Sequence, residues 1–423
     1  HYDWSTRNAC QRCHTTTGFS AYADALASGN AQRASDINGG LITLITNTAN
    51  WKPEMLKCNG CHTDNKGTLR NPGAITVNYD YVSGGKTYAK ASHTYPDLQG
   101  SNVCMACHTG RESGDTIRGL NDQALISDGT ITSYDFKNTG FINSHYLTAG
   151  GQVFTVTGYE FPGRPYNNLP EYRHDKIGTP ATIQLSPYVN TGSNGPCIGC
   201  HMSRPNKNGN HLFLPVSRST TVIGQITGIA SELCFKCHGP STTLILDLVR
   251  EQKAQFVESL EALKEQLETR GIYFAPYNPY FFVGPGFDPL YSEATATPHC
   301  QPSNVPVKNW QTDGTSNFTY TSGTSCGSSV NVAGIAGTGQ NNMGAAFNFN
   351  LLEHDPGAYV HNRIYTKRLI YDSIDWIDDN VMNFSVGDTL DAECSVGSPP
   401  AWCAEAMTYL LPNGVLGIEA ERP

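Results

Sequence analysis

Ten of the fourteen cysteines in this chain belong to one short motif that occurs five times. Each copy has the form C-x-x-C-H, and we number the copies 1 to 5 in chain order. They comprise, in that order, Cys10, Cys13 and His14; Cys58, Cys61 and His62; Cys104, Cys107 and His108; Cys197, Cys200 and His201; and Cys234, Cys237 and His238. For this composition, the number of copies expected by chance is roughly 0.01. The motif therefore constrains the fold more than any other feature.

The spacing of the motif is typical of covalent haem attachment. Two thiols three residues apart reach the two vinyl groups of one haem and form thioethers, and the adjacent histidine becomes the proximal iron ligand. Zinc sites do not require a histidine after every cysteine pair, and a thioredoxin-type motif is expected once, on a βαβ scaffold. Five separate disulfides would not explain the histidines either. The sequence therefore predicts five haem c groups.

The remaining histidines predict the second axial ligand of each iron. Methionine is scarce, and Met105 and Met202 lie inside or beside a motif, where they are poorly placed for their own haem. Eight histidines lie outside the motifs, which is enough for five open positions. We therefore expect bis-histidine iron, which has a lower potential than His/Met iron. The favoured distal ligands are His93, His145, His174, His211 and His361, ahead of His1 and His354.

Three histidines leave alternatives open. Asp355-Pro356 predicts the N-cap and first residue of a helix that reaches about Asp378, with His361 near its start. His354 precedes this helix, and fits either an axial ligand or a group that hydrogen-bonds to one. His1 is either disordered or completes a haem of another subunit, whereas His299 is interpreted as a surface residue.

Composition and charge exclude several classes of partner. The formal net charge is −9 and the isoelectric point is near 5.8, so the chain gains nothing from counterion release on nucleic acid. No stretch approaches the roughly 18 apolar residues of a spanning helix, and we expect no membrane span. Residues 1–4 do not resemble a signal peptide, so an exported protein would be numbered here after signal removal. Gly and Pro number 42 and 24, which favours irregular backbone.

The predicted fold is a mostly irregular, loop-rich multihaem cytochrome c with short helices, minor β-structure and a C-terminal pair of longer α-helices. Residues 1–240 form the haem-binding region and residues 241–423 the C-terminal region. The latter contains a long helix over 242–270, an insert over 273–352 and a helix over 356–378, and we expect the two helices to pair antiparallel. The insert lacks charge over 314–352, which predicts a flexible excursion or a surface covered by another subunit.

Four cysteines lie outside the motifs. In an oxidising compartment, proximity would pair Cys300 with Cys326 and Cys394 with Cys403. Other pairings remain open, because connectivity does not follow from sequence.

Two runs resemble the exported multihaem c-type cytochromes of metal-reducing bacteria: Cys-Gln-Arg-Cys-His-Thr-Thr-Thr-Gly-Phe and Asp-Pro-Gly-Ala-Tyr-Val-His-Asn-Arg. The second also resembles the helix of pentahaem nitrite reductases in which a His-Asn pair supplies a distal ligand, which favours His361. The resemblance implies export, to the extracellular space or outer cell surface, with the periplasm as the alternative. It also implies electron exchange with redox partners or extracellular acceptors. Some such cytochromes polymerise, so we expect a homopolymer in which His1 could ligate a neighbouring subunit's haem.

The motifs and the spare histidines are compatible with three functions. The leading hypothesis is an electron carrier, in which five bis-histidine haems form a chain that continues through a conductive filament. A multihaem reductase with one open haem is the rival, although the lysine-containing motif C-x-x-C-K of pentahaem nitrite reductases is absent. A monomeric electron shuttle is the third.

Overall fold

The computed structural model of the chain describes eighteen stretches of it. These are residues 8–27, 32–33, 54–79, 81–83, 86–89, 91–120, 124–125, 131–132, 134–145, 148–167, 174–177, 195–203, 211–283, 306–311, 317–321, 329–333, 335–414 and 416–423. His1, His299, Cys300 and Cys326 lie outside the described residues.

Most helices in the described residues are short. They are α1 (Asn8–His14), α2 (Thr16–Ala27), α3 (Cys58–Cys61), α4 (Asn102–Met105), α5 (Gly114–Arg118), α6 (Ala149–Val153), α7 (Pro196–His201), α8 (Glu232–His238), α9 (Thr242–Thr269), α10 (Gly339–Glu353), α11 (Ala358–His361), α12 (Arg363–Ile377), α13 (Val386–Cys394) and α14 (Cys403–Leu410). Single 3₁₀ turns cover Gln99–Ser101, His174–Lys176 and Glu419–Glu421. The longer helices follow residue 240, so the predicted fold class is confirmed.

The strands in the described residues are two to five residues long. They are β1 (Gln32–Arg33), β2 (Ile75–Asn78), β3 (Tyr81–Ser83), β4 (Lys86–Ala89), β5 (Ser92–Tyr95), β6 (Ala124–Leu125), β7 (Ile131–Thr132), β8 (Val216–Arg218), β9 (Ile226–Ile229), β10 (Tyr273–Phe274), β11 (Phe281–Phe282), β12 (Asn317–Thr321) and β13 (Ser329–Ala333). One small sheet has the order β1-β2-β5, and the other described strands form two-stranded sheets. In the three-stranded sheet Val77 pairs with His93, which places that histidine on a strand.

Two clusters of buried apolar side chains form the core. The smaller cluster joins α2 to β2, β5 and α4 through residues such as Phe19, Val77 and Met105. The larger cluster joins α9, α10, α12 and α14 to a group of residues from the haem-binding region. That group includes Ile117, Leu120, Tyr134, Phe136, Tyr159, Phe161 and Tyr166. The predicted C-terminal region therefore shares its core with residues that precede position 240.

Helix α9 matches its sequence pattern closely. The Ser241 side chain accepts a hydrogen bond from the backbone N–H of Leu244 and caps the start of the helix. Gly271 has φ +75°, the left-handed conformation expected just after a helix end. The repeating apolar residues Phe256, Leu260, Leu263 and Leu267 are buried, so this stripe contributes to ordinary packing.

The uncharged insert does not behave as predicted over its last part. Residues Gly339–Glu353 form α10, which is buried inside this chain and is neither a flexible excursion nor a surface for another subunit. Charge is absent because burying it would be costly. Its polar residues are hydrogen-bonded: Asn348 bonds to the backbone of Tyr159 and to Ser373, and Asn342 accepts a bond from the Trp376 indole N–H. These contacts also show that α10 runs antiparallel to α12.

The helix predicted over 356–378 is two helices. α11 ends at His361, and the side chain of Asn362 caps α12 by accepting a hydrogen bond from the backbone N–H of Tyr365. Asp355 does not serve as the predicted N-cap: one carboxylate oxygen accepts from the N–H of Gly357 in a turn, and the other contacts His361. An Asn that competes for backbone donors interrupts the helix at this point.

The predicted antiparallel pairing of the two long helices is also wrong. The Phe256 ring of α9 lies 5.7 Å from the Tyr359 ring of α11, just before α12 begins. At the other end, Arg270 donates hydrogen bonds to the carbonyl oxygens of Ile377 and Asp378, where α12 ends. α9 and α12 therefore run in the same direction, because α10 takes the antiparallel position beside α12.

Two further predictions concern the chain's covalent and membrane features. Cys394 and Cys403 form a disulfide with an S–S distance of 2.02 Å, as their proximity predicts. Within the described stretches, we find no helix whose length and apolar character would allow it to cross a bilayer.

Candidate haem sites

Each C-x-x-C-H motif lies on a helical turn. Motifs 1, 4 and 5 are contained in α1, α7 and α8. In motifs 2 and 3, the backbone N–H of the histidine bonds to the carbonyl of the first cysteine, at 2.8 Å for His62 and 3.0 Å for His108. Residues three and four apart share one face of a helix. Both thiols and the imidazole of a motif can therefore address the same haem.

Three motif histidines face a second histidine from a distant part of the chain. The ring centres are 6.0 Å apart for His62 and His211. They are 6.2 Å apart for His201 and His361, and 6.2 Å apart for His238 and His174. Each partner is one of the distal ligands favoured by the sequence.

The Nδ1 atoms of these histidines are held by neighbouring oxygens. His201 Nδ1 lies 2.8 Å from the carbonyl oxygen of Phe213, and His174 Nδ1 lies 2.7 Å from that of Val360. His361 Nδ1 lies 2.8 Å from a carboxylate oxygen of Asp355. A histidine that donates through Nδ1 keeps the Nε2 lone pair for a metal. These contacts therefore hold the rings in orientations that suit iron ligation.

Burial and charge shift the pKa values of three of these imidazoles in different directions. Burial is the largest cause lowering the pKa of His174 and of His201. Burial also lowers the pKa of His361, but the Asp355 carboxylate outweighs it and the net pKa is raised. Of these three, His361 is the most electron-rich donor, because a carboxylate partner increases ligand basicity.

Large apolar side chains remain exposed around the His62–His211 pair. Met55 is 66% exposed, Leu212 is 69% exposed and Phe213 is 51% exposed. Met55 shortly precedes motif 2, and Leu212 and Phe213 directly follow His211. A haem bound at motif 2 would cover these side chains with its porphyrin face. The residues here fit a haem, since a large flat apolar group resolves this exposure.

The three other described histidines that lie outside the motifs have different surroundings. His93 is half-buried on β5, with its ring 4.7 Å from the Tyr95 ring. His354 caps the end of α10, and its Nδ1 lies 2.8 Å from the carbonyl oxygen of Asn350. His145 has φ +66°, and burial followed by the charge of Arg111 lowers its pKa to about 4. His14 and His354 also lie within electrostatic range of His145.

A buried cation lies within motif 1. The Arg12 side chain is 4% exposed and lies over the Tyr22 ring, at 5.2 Å from the ring centre. Among the described residues, Arg12 forms no salt bridge with a carboxylate. A buried guanidinium requires an anionic or hydrogen-bonding partner. The neighbouring Cys13 side chain is hydrogen-bonded to Arg12, and a haem propionate would add an anionic partner.

Some contributors to these sites carry no sequence signal. The carbonyl groups of Phe213 and Val360 act through the backbone, which any residue provides. The local sequence around Asp355 indicates a helix cap, although its six-residue separation from His361 places it within reach of that ring. Arg12 occupies one of the two variable positions of motif 1, and nothing else in the sequence distinguishes it.

The donor set and the comparisons with known proteins agree on one class. In the part of the chain that the structure describes, no cluster of three or more His, Cys, Asp or Glu side chains could hold a bare metal ion. The cysteine pairs and histidine pairs instead suit haem. A family model described as C-type polyheme cytochrome domain 2 matches residues 1–70. This match and the relatives described next confirm the predicted resemblance of the chain to the multihaem c-type cytochromes of metal-reducing bacteria.

Two curated relatives make the comparison more specific. The chain is 42% identical to C-type polyheme cytochrome OmcC of Geobacter sulfurreducens (strain ATCC 51573 / DSM 12127 / PCA), over 97% of this chain and 48% of OmcC. It is 41% identical to C-type polyheme cytochrome OmcB of Geobacter sulfurreducens (strain DL-1 / KN400), over 93% of this chain and 47% of OmcB. The chain thus spans about half the length of these relatives. No solved structure matches it.

Proposed function

We propose that this chain transfers electrons through five covalently bound haems whose irons are each held by two histidines. The observation that carries the proposal is the set of three histidine pairs with ring centres 6.0–6.2 Å apart. Each pair joins a motif histidine to a histidine far away in sequence. Ordinary packing of surface histidines would not repeat this arrangement three times.

The separation of the rings supports axial ligation of one iron by both members of a pair. A metal–imidazole bond is about 2 Å long, and the ring centre lies about 1 Å beyond the bonded nitrogen, so two imidazoles on opposite sides of one metal have centres about 6 Å apart. The observed distances agree with this value. A direct hydrogen bond between two imidazoles would instead put the donor and acceptor nitrogens about 3 Å apart, and the ring centres about 5 Å apart.

Haem iron supplies reversible one-electron chemistry at each site. The chain's residues would hold that iron in place: the motif cysteines would anchor the porphyrin, and both histidines of each pair would bind the iron. A filled axial position leaves no room for a substrate. This favours an electron carrier over a reductase for motifs 2, 4 and 5.

For motifs 1 and 3, we propose that the distal ligands come from His93, His145 and His354. His145 lies within electrostatic range of His14. The segment that contains it is joined to motif 3, because Arg111 donates a backbone hydrogen bond to Ser144 and Gly150 donates one to His108. The Nδ1 contact of His354 with a carbonyl matches the contacts of His174 and His201, which supports ligation by His354.

Export to an oxidising compartment completes the proposal. The Cys394–Cys403 disulfide supports it, because disulfides persist outside the reducing cytosol. Redox partners at the outer cell surface or in the extracellular space would then exchange electrons with the haems. Polymerisation into a filament, with His1 as an intersubunit ligand, stays a prediction drawn from the resemblance, and negative-stain electron microscopy of secreted protein tests it.

Two measurements on the holoprotein test the proposed function. Intact-mass measurement of the chain should show five covalent haem additions. Electron paramagnetic resonance of the oxidised protein should show low-spin ferric haem only, with no change on addition of nitrite. A high-spin, nitrite-sensitive signal would instead establish the reductase, and fewer than five haems would remove at least one site.

A further inference from the structure

Two short segments of the chain each contact two haem sites. The first segment is residues 211–213. His211 faces His62 of motif 2, with ring centres 6.0 Å apart. Two residues later, the carbonyl oxygen of Phe213 lies 2.8 Å from Nδ1 of His201, the histidine of motif 4. The 211–213 segment therefore supplies the histidine that faces motif 2 and orients the histidine of motif 4.

The backbone of the 211–213 segment has an unusual conformation. Phe213 has φ +53°, in the left-handed region that residues other than glycine rarely adopt. The His211 and Phe213 rings also contact each other, with centres 6.1 Å apart. A strained conformation of this kind persists only where the surrounding structure fixes it, and such residues cluster at functional sites. In this segment it accompanies the contact of the Phe213 carbonyl with His201.

The second segment is the residue pair Val360-His361. His361 faces His201 of motif 4, with ring centres 6.2 Å apart. The carbonyl oxygen of Val360 lies 2.7 Å from Nδ1 of His174, which faces His238 of motif 5. A single peptide unit therefore connects the facing histidine of motif 4 to the facing histidine of motif 5.

Motifs 4 and 5 are also connected through the helices that carry them. The hydroxyl of Ser231, the N-cap residue of α8, donates to the carbonyl oxygen of Gly199 inside motif 4, at 3.5 Å. The carbonyl of Pro215 accepts from the backbone N–H groups of Ala230 and Ser231, at 2.8 and 2.9 Å. Because Pro215 lies two residues after Phe213, the chain that contacts motifs 2 and 4 continues directly to the start of the helix of motif 5.

The two other motifs attach at different points. The Thr16 hydroxyl, just after motif 1, donates to the carbonyl of Met55 and accepts from the N–H of Lys57, both at 2.9 Å and just before motif 2. The backbone N–H of Ile198 in motif 4 donates to the Ser101 hydroxyl at 3.1 Å, and Ser101 immediately precedes α4 of motif 3. Motif 1 therefore adjoins motif 2, and motif 3 adjoins motif 4.

We propose that the haem of motif 4 lies between the haems of motifs 2 and 5 and passes electrons between them. This inference rests on the proposed function. The two segments fix the order, because each positions histidines of two neighbouring haems, and electron tunnelling weakens steeply as the distance between haem edges grows. Each step moves one electron from a ferrous to a ferric haem, with no bond made or broken and no proton transferred.

The positions of the irons test this order directly. An anomalous difference map at the iron edge, from crystals of the holoprotein, should place the motif 4 iron next to the irons of both motif 2 and motif 5. An iron of motif 1 or motif 3 that lies between motif 4 and either of these two would overturn the order. Fewer than five iron peaks, or irons without two axial histidines, would instead count against the proposed function.

A substitution in the 211–213 segment tests the shared positioning in solution. A β-branched residue is disfavoured at positive φ, so Phe213→Val should turn the carbonyl away from His201. Loss of this hydrogen bond makes the imidazole a weaker donor, which should raise one of the five midpoint potentials in a spectroelectrochemical titration. Because His211 moves with the segment, the electron paramagnetic resonance signal of a second haem should change as well. Phe213→Gly, which tolerates positive φ, should cause smaller shifts of both.

Phe384→Val is the matched control for backbone strain. Phe384 also has positive φ, at 65°, and its ring lies 3.5 Å from the Arg164 guanidinium. It follows α12, at the end of that helix remote from His361. Phe384→Val should leave all five potentials and the spectrum unchanged. A Phe213→Val protein in which only one haem or none is altered, or equal shifts in Phe213→Val and Phe384→Val, would overturn the shared positioning.

Discussion

Asp355 should tune the potential of one haem through His361. Its carboxylate oxygen lies 2.8 Å from His361 Nδ1, and the Asp355 side chain is 4% exposed. Replacing Asp355 with Asn removes a negative charge beside the ligand while it keeps a side-chain oxygen of similar size. Because a nearby negative charge stabilises Fe(III) over Fe(II), Asp355→Asn should raise the midpoint potential of the haem of motif 4.

The size of this shift follows from the geometry. The imidazole ring adds about 4 Å between Nδ1 and a metal bound at Nε2, which puts the carboxylate charge about 7 Å from the iron. Coulomb's law with an effective dielectric constant of about 20 then gives about 2.4 kcal/mol, and this is about 100 mV for a one-electron couple. Reorientation of the amide reduces this figure, so it is an upper value.

Spectroelectrochemical titration of the holoprotein would measure the shift. One of the five one-electron steps should move upward by up to about 100 mV, and the other four should stay within a much smaller range. The matched control is Asp391→Asn, which removes the same charge from an exposed position of α13 and should leave all five steps unchanged. An unchanged titration curve for Asp355→Asn, or a downward shift, would refute the assigned role of this carboxylate.

Three further predictions concern other sites. Replacing His211 with Ala should convert one low-spin haem to high-spin in the electron paramagnetic resonance spectrum, whereas His299→Ala should not; an unaltered His211→Ala spectrum would exclude it as a ligand. Replacing Arg422 with Ala should lower the free energy of unfolding by about 3–5 kcal/mol, because it leaves Asp372 as an unpaired buried charge, and urea titration measures this. The Arg422 and Asp372 side chains are 4% and 0% exposed, with N–O contacts of 2.6 and 2.7 Å. Adding Asp372→Asn to Arg422→Ala should recover part of the lost stability. A loss below about 1 kcal/mol in Arg422→Ala would count against an energetically important pair. Replacing Arg12 with Gln should lower the midpoint potential of a haem at motif 1 or 3, since a buried positive charge favours Fe(II); an unchanged or higher potential would contradict this.

Local patterns explain which structural features could be predicted. The long helix α9 has its cap, its apolar stripe and its terminal glycine within one stretch of chain, and all three appear in the structure. The Cys394–Cys403 disulfide joins residues nine positions apart. The break between α11 and α12 at Asn362 was harder to predict from the sequence, because Asp355-Pro356 offers an equally good local signal for a helix start.

Packing explains which features could not be predicted. The absence of charge over residues 314–352 is equally compatible with exposed polar chain and with a buried helix. Only the surrounding residues distinguish the two: Asn348 finds its partners on Tyr159 and Ser373, which lie far from it in sequence. The direction of α9 relative to α12 likewise depends on α10, which takes the antiparallel position.

The sequence by itself determined the class of this protein, because covalent haem attachment needs only the five consecutive residues of each motif. The same sequence determined that enough spare histidines exist to fill the second axial positions. Tertiary structure alone decided that His211 faces His62, that His361 faces His201 and that His174 faces His238. The members of each pair lie far apart along the chain, and their proximity is a product of packing rather than of spacing.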